Sequence, residues 1–249
     1  MSSVVKLPAQ VLKSLETRLG VRSKVSHLFL YDLFTSLRYE YIDAQKSKDD
    51  RAVPFSIDDL AEFYYYFHCD KNFYESFEHF IALWRKFING IPKAGVLAIT
   101  DEGNVVLVLM IKKLADGNDE AVLGFPKGKR SCYDDNLKET GYREMFEETG
   151  INLSSDGVKR VIHQTEANLT MFVESNVESS LVDESFSQEY ETNGVRTFKA
   201  NELYGVNYVP VVFEGKELQA RLAKTVINLF SMINEDEELE DIKRICLIE

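Results

Sequence analysis

The stretch that most constrains this chain is Arg143-Glu144-Met145-Phe146-Glu147-Glu148-Thr149-Gly150-Ile151, preceded by the glycine-bounded loop Gly124-Phe125-Pro126-Lys127-Gly128-Lys129. The spacing predicts a loop feeding a short helix that ends at Gly150. On that helix Glu144, Glu147 and Glu148 fall at i, i+3 and i+4, so their carboxylates share one face. Tyr142, Met145, Phe146 and Thr149 fall at i, i+3, i+4 and i+7 and predict a buried stripe beside them. Three like charges on one turn repel unless a cation neutralises them. A ligand set made only of oxygen suits a hard divalent ion, Mg²⁺ or Mn²⁺. Taken alone, without the rest of the string, the acids read as a solvated helix face.

The length of 249 residues allows one large or two modest domains, and 16 Phe and 12 Tyr are ample for packed cores. No run of about 18 apolar residues is present, and the first residues lack the apolar core of a secretory signal, so no membrane partner is expected. Cys69, Cys132 and Cys246 are far apart, without CxxC spacing, and are expected to be free thiols in a reducing compartment. The net charge is −12, yet residues 1–95 hold 13 basic and 12 acidic side chains, so the excess acid belongs to the remainder. That acidity argues against loose, non-specific RNA binding but leaves room for a local basic channel.

Periodicity divides the chain near Asn89-Gly90. Before it, a helix over 8–19 carries Val11, Leu12, Leu15 and Leu19. Ser26 can cap a second helix bearing Leu30, Leu33, Phe34, Leu37 and Tyr41, and Ser56 with Asp59 starts a third through Phe67. Phe73, Phe77, Phe80, Ile81, Trp84 and Phe87 continue the helical period. After it, Val96–Thr100 and Val105–Ile111 read as a hairpin around Asp101-Glu102-Gly103-Asn104. Further strands are expected at Ala121–Phe125, Val158–Thr165, Leu169–Glu174 and Val195–Phe198. Residues 174–191, acidic and serine-rich, read as a mobile surface loop. Glu217–Ile233 reads as a helix with Leu218, Leu222, Val226 and Leu229 inward. The acidic tail, Asn234–Glu249, is either disordered or a terminal helix docked on the domain.

The string around Arg143 resembles the Nudix box, Gly-x5-Glu-x7-Arg-Glu-u-x-Glu-Glu-x-Gly-u, with u a bulky apolar residue. Arg143 to Ile151 matches every fixed position of its second half. In the first half the distance from Gly128 to Arg143 is one residue longer, and Asp134 or Asp135 replaces the glutamate that pairs with the motif arginine. Together with Ile91-Pro92-Lys93-Ala94-Gly95 and the preceding helices, the layout resembles the eukaryotic mRNA-decapping Nudix hydrolases, with Leu123 where that family usually has Trp. The resemblance spans roughly residues 10–235. It implies an α+β architecture, with an N-terminal all-helical regulatory domain (1–90) followed by a Nudix α/β/α sandwich with a mixed sheet (91–249), ending in a C-terminal helix and the acidic tail.

The same resemblance implies metal ligands at Glu144, Glu147 and Glu148, Mg²⁺ or Mn²⁺ as cofactor, and a general base after the Nudix helix, Glu189 in preference to Glu191. It implies that Lys127, Lys129 and Arg130 meet phosphates. From the helical domain it implies an aromatic residue and an aspartate that hold 7-methylguanine; Tyr39 and Asp43 have the i, i+4 spacing to supply a π face and an edge acceptor. RNA would run along a basic C-terminal helix through Lys216, Arg221 and Lys224, with Asn228 on the same spacing. Capped mRNA is the implied substrate, a small decapping activator protein docking on the helical domain the implied partner, and the cytoplasm, with its RNA-decay granules, the implied place. A hinge near Asn89-Gly90 would close the composite cap site. Two other readings stand beside this one. One is a Nudix pyrophosphohydrolase for a dinucleotide, ADP-ribose or an inositol pyrophosphate; the other is a non-enzymatic scaffold, which would have no need of three crowded acids. His27, His68, His79 and His163 have no ligand spacing between them, and nothing suggests a serine or cysteine nucleophile.

Overall fold

The computed structural model describes residues 7–20, 25–46, 55–113, 119–154, 157–188 and 192–246. The chain forms two units, one of residues 1–91 with 131–133, the other of 92–130 with 134–249. No helix among the described residues is long and apolar enough to cross a membrane.

The first unit is helical, with α1 (Ala9–Leu19), α2 (His27–Lys46), α3 (Ile57–Phe67) and α4 (Phe77–Gly90). Each boundary has a local cause. Gly20, at φ 55°, ends α1 in a conformation that a side chain would strain. Ser26 Oγ accepts the Phe29 N–H at 3.2 Å, Ser56 and Asp59 form a reciprocal capping box, and Ser76 Oγ accepts the His79 N–H at 3.1 Å. The amphipathic faces then meet around Leu15, Phe34, Leu60, Phe80 and Trp84, all fully buried. Trp84 packs against Phe34, with ring centroids 5.5 Å apart, and edge-on to His27. Burial lowers the His27 pKa. Phe73 departs from the expected period. It closes a 3₁₀ turn, Lys71–Phe73, and is exposed.

The second unit is a mixed sheet between helices. Its strands are β1 (Lys93–Thr100), β2 (Asn104–Lys113), β3 (Asp119–Gly124), β4 (Lys127–Lys129), β5 (Val158–Gln164), β6 (Leu169–Val177), β7 (Val195–Lys199), β8 (Tyr208–Phe213) and β9 (Lys216–Leu222). Its helices are α5 (Leu137–Thr149), α6 (Ala200–Leu203), α7 (Lys224–Glu235) and α8 (Glu240–Ile245). The order is β5-β6-β1-β2-β3-β9-β8, with β4 on β1 and β7 on β2. The β1·β6 and β3·β9 pairs are parallel and the rest antiparallel. β1 and β2 meet only near their turn, at Ile99 opposite Val105. They then part, which leaves β1 free to take β4 and β2 free to take β3 and β7.

Alternation sorts the strand residues onto two faces. Val96, Ala98 and Val106 pack with Met145 of α5 and Ile151 just beyond it. Leu97, Ile99, Leu107 and Leu109 pack with Val226, Leu229, Phe230 and Ile233 of α7 and Ile242 of α8. The α+β reading holds, with helices first and a mixed sheet layered between helices after them.

Several local expectations change. The predicted helix over Glu217–Ile233 is a strand, β9, followed by α7. Glu214 (φ 50°) and Gly215 (φ 74°) reverse the chain between β8 and β9, the left-handed pair of a two-residue hairpin. The tail takes the docked alternative, since Leu239, Ile242 and Cys246 are buried against the α7 side of the core. Burial raises the Cys246 thiol to about 12. In the stretch expected to be a mobile loop, β6 runs on to Val177, and Val182 and Phe186 pack into the cluster under α5. Phe146, placed in a buried stripe by its spacing, is 54% exposed.

Candidate active site

Asn136 caps α5, its side-chain oxygen accepting the N–H groups of Lys138 and Glu139 at 2.9 and 3.1 Å. Gly150 ends the helix in the left-handed conformation at φ 73°. Between these caps the inward face is Thr140, Gly141, Glu144, Met145, Glu148 and Thr149. Glu144 and Glu148 are each only 7% exposed, so the acids occupy the side where an apolar stripe would ordinarily lie.

The glycines explain how close this packing is. A Cβ on Gly128 would collide with the Glu144 carboxylate, and one on Gly95 would sit 2.6 Å from both Pro126 O and Lys127 Cβ. A Cβ on Gly141 would lie 3.3 Å from Gly95 O, so α5 is seated directly on β1. Glu148 Oε2 accepts the Lys127 N–H at 3.0 Å, tying the start of β4 to the helix.

Arg143 organises the acids. Its Nε and Nη2 each donate to a different oxygen of Asp134 at 3.0 Å, and Nη2 also reaches Lys129 O at 3.1 Å. Its Nη1 donates to Glu144 Oε1 at 2.7 Å and to Glu147 Oε2 at 2.9 Å. Burial alone would lower the Arg143 pKa. The hydrogen bonds it donates to Asp134 and the charges of Glu144 and Glu147 outweigh it and raise it. Asp134, buried and also accepting from Thr140 Oγ1 at 2.9 Å, is therefore the acid that pairs with the motif arginine. Asp135 is exposed, and its N–H goes to Glu139 Oε2 at 2.8 Å. Arg130, expected at phosphates, instead donates to the carbonyls of Asp134 and Asp135.

Beside the acids lies a set of lysines. Lys127 is partly buried; burial lowers its pKa, Lys93 and Lys112 push the same way, and Glu148 and Glu144 oppose them. Burial and Lys93 lower that of Lys129. The β1–β4 register sets Lys93 opposite Lys129. Val108, Met110 and Lys112 share one face of β2, and Met110 Cε approaches the Cβ position of Gly124 at 3.3 Å. Lys93 and Lys112 carried no role in the sequence reading. Lys93 lies in the Ile91–Gly95 segment already singled out, but its place beside Lys129 depends on a strand pairing that the sequence does not display.

The remaining candidates lie on other elements or outside the described residues. Tyr39 is half-buried on α2, in the helical unit, and the Asp43 side chain lies outside the described residues. Glu189 and Glu191 also lie outside them. The residues on either side are fixed: the Gln188 N–H donates to Thr192 Oγ1 at 2.9 Å, and Asn193 bonds both Leu109 and Ile111 of β2. Lys216, Arg221 and Lys224 do not share a helix face. Lys216 opens β9, Lys224 opens α7, and Arg221 between them donates to Glu120 Oε1 at 2.7 Å.

Glu144 and Glu148 suit a hard divalent cation in donor type, burial and their i, i+4 spacing on the inward face. Glu147 is more open, its side chain 40% exposed, and turns to Arg143. Among the described residues no three His, Cys, Asp or Glu side chains converge on one ion-sized point. The residues that would hold such an ion are the two buried carboxylates.

No protein-family model matches the sequence, and no curated protein matches it. Among solved structures the chain is similar to a NUDIX hydrolase from Nitrosomonas europaea, at 18% identity and a TM-score of 0.34, covering 45% of this chain and 74% of that one. It is similar to the E. coli ORF135 protein at 14% identity and a TM-score of 0.36, covering 59% and 92%. It is also similar to a MutT/nudix family protein from Enterococcus faecalis at 10% identity and a TM-score of 0.38, covering 77% and 80%.

Proposed function

We propose that this chain hydrolyses a phosphoanhydride, and that its substrate is the 5′ cap of mRNA, cut to 7-methyl-GDP and RNA with a 5′-monophosphate. The observation that carries the reading is the buried pair Glu144 and Glu148 set against Lys93, Lys112, Lys127 and Lys129. A cation site touching an anion site suits a polyphosphate, whose charge must be neutralised before water can approach phosphorus. The choice of a cap follows from the resemblance at residues 91–95 and 124–151 and from the helical unit that precedes the sheet.

Mg²⁺ or Mn²⁺, bound by Glu144 and Glu148 with Glu147 beside them, would supply charge neutralisation and an oriented water. The chain's own residues do the rest. Lys127 and Lys129, with Lys93 and Lys112, hold the phosphate oxygens. Arg143, clamped by Asp134, fixes the directions of Glu144 and Glu147. Glu189 takes the proton from water as its oxygen bonds to phosphorus and the bridging P–O bond breaks. Tyr39 and Asp43 hold the 7-methylguanine, a small activator protein docks on the helical unit, and the reaction takes place in the cytoplasm.

The test incubates the protein and Mg²⁺ or Mn²⁺ with long capped RNA, free cap analogue, ADP-ribose and an inositol pyrophosphate. Release of 7-methyl-GDP from the long RNA in preference to the analogue is the expected result. Glu148→Gln should lose about 10²–10³-fold in rate while keeping its fold, the scale of removing one preorganised electrostatic group; full activity in that variant would refute the site. One observation favours the second reading, a free nucleotide or inositol pyrophosphate. With Arg221 paired to Glu120, only Lys216 and Lys224 remain exposed at opposite ends of β9 for RNA.

A further inference from the structure

β4 is only Lys127-Gly128-Lys129, and it alternates as a strand does. Two glycines fix which way its side chains leave. A Cβ on Gly128 would strike the Glu144 carboxylate, so the middle position faces α5 and the acids. A Cβ on Gly95, directly across in β1, would meet Lys127 Cβ and Met171 Sδ, so Lys127 leaves on the opposite face. Lys129, two residues on, leaves on that same face, and so does Lys93, its partner across the pair. The backbone of β4 therefore runs between the acids and the Lys93–Lys129 pair.

The lysines accordingly divide. Lys127 bends back toward β3, with Nζ 3.7 Å from the Cβ position of Gly124. Besides burial, Glu148, Lys93, Glu144 and Lys112 act on its charge. Lys129 is shifted by burial and by Lys93. Directly opposed side chains on an antiparallel pair have Cβ atoms about 4.5–5.5 Å apart, and like charges so placed weaken the sheet. Lys93 and Lys129 are both half-buried, and an anion between their ammonium groups would relieve the repulsion.

The phosphoanhydride to be cut belongs with Glu144 and Glu148, on the α5 face of β4. A substrate that also engages Lys93 and Lys129 needs a further phosphate, away from the bridge. RNA supplies one at every linkage, whereas a free nucleotide has none to place there.

We propose that Lys93 and Lys129 bind a phosphodiester of the RNA chain beyond the cap bridge, and so select long capped RNA over free cap. The inference rests on the decapping reading of the acid site. It gives RNA a path over β4, where Lys216, Arg221 and Lys224 do not share a face.

The experiment follows fluorescence anisotropy of a labelled single-stranded RNA bearing a 5′-monophosphate, titrated with the full chain over a range of KCl. Lys93→Gln with Lys129→Gln should weaken binding at least tenfold and lower the salt slope by about 0.7 for the lost phosphate contact. Lys93→Arg with Lys129→Arg, which keeps both charges, should bind like the parent, and melting curves check that each variant folds. In turnover, the Gln pair should lose at least tenfold more on long capped RNA than on free cap analogue, with the difference in KM. Unchanged affinity and slope in the Gln pair would overturn the proposal, as would a parent chain that does not bind the RNA. Equal losses on capped RNA and free analogue would assign both lysines to the bridge instead. Tighter binding of inositol hexakisphosphate than of RNA, lost in the same variant, would also overturn it. Binding needs no turnover, so the two readings fail separately. RNA held through this pair, with no 7-methyl-GDP released from any capped RNA, sinks the decapping reading alone. Decapping by the Gln pair that keeps its full preference for long RNA sinks the subsite alone.

Discussion

Arg143 shows how much of this site rests on one side chain. It bridges Asp134, Glu144 and Glu147 at once, so the acids are held apart and aimed before any ligand arrives. Asp134→Ala should therefore do more than remove a salt bridge. It leaves a guanidinium short of its bidentate partner, at a cost of about 3 kcal/mol, the low end for a buried pair because the Arg143 side chain keeps 29% of its surface in water. Denaturant melts would show the loss, and activity should fall with it as Glu144 and Glu147 lose their direction. Glu174 offers a different test. It is 3% exposed on β6, and Tyr142 donates its hydroxyl to it. Burial raises its pKa above the ordinary 4.5, against the opposing pull of Tyr142, Lys138 and Lys159. A carboxyl whose folded pKa exceeds its unfolded one binds its proton more readily in the folded state, so it lends stability at low pH that is lost as pH rises through that folded pKa. Thermal melts from pH 4 upward should show this decline in the parent protein, and Glu174→Gln should flatten it.

Among the elements, α5 was the most legible and β9 the least, for physical reasons. Caps, acids and a terminal glycine all agree on α5. The sequence of β9, Lys216-Glu217-Leu218-Gln219-Ala220-Arg221-Leu222, is rich in good helix formers, and intrinsic propensity is weak where a neighbouring strand offers its edge. Here β3 offers that edge to one side of β9 and β8 pairs on the other. The clue lay in Phe213-Glu214-Gly215-Lys216, a two-residue reversal after a β-branched run. Gly215→Ala should cost about 1–2 kcal/mol, because the left-handed conformation at φ 74° disfavours any Cβ; a shift in melting temperature measures it. The reading of α5 itself went astray at Phe146. Apolar spacing assigned it to the inside, but the inward face of this helix serves carboxylates. A helix built around charge inverts the rule that works elsewhere in the chain. Lys93 and Lys112 were missed for another reason: strand register, unlike helix period, cannot be counted along the sequence.

At the scale of the whole molecule, the two units carry separate cores of different composition. The helical core is built of interlocking aromatic rings, and the sheet core chiefly of aliphatic side chains. The period changes from helical to alternating where α4 ends at Gly90 and β1 begins at Lys93. The chain contains a single Trp, and that residue, Trp84, is sealed in the helical unit. Indole emission is accordingly a private signal of that half of the molecule. Titrating Mn²⁺ or a cap analogue while watching it gives a built-in spy: engagement confined to the α5 acids should leave the spectrum untouched, and any change in colour or intensity would announce that the aromatic core had felt the ligand.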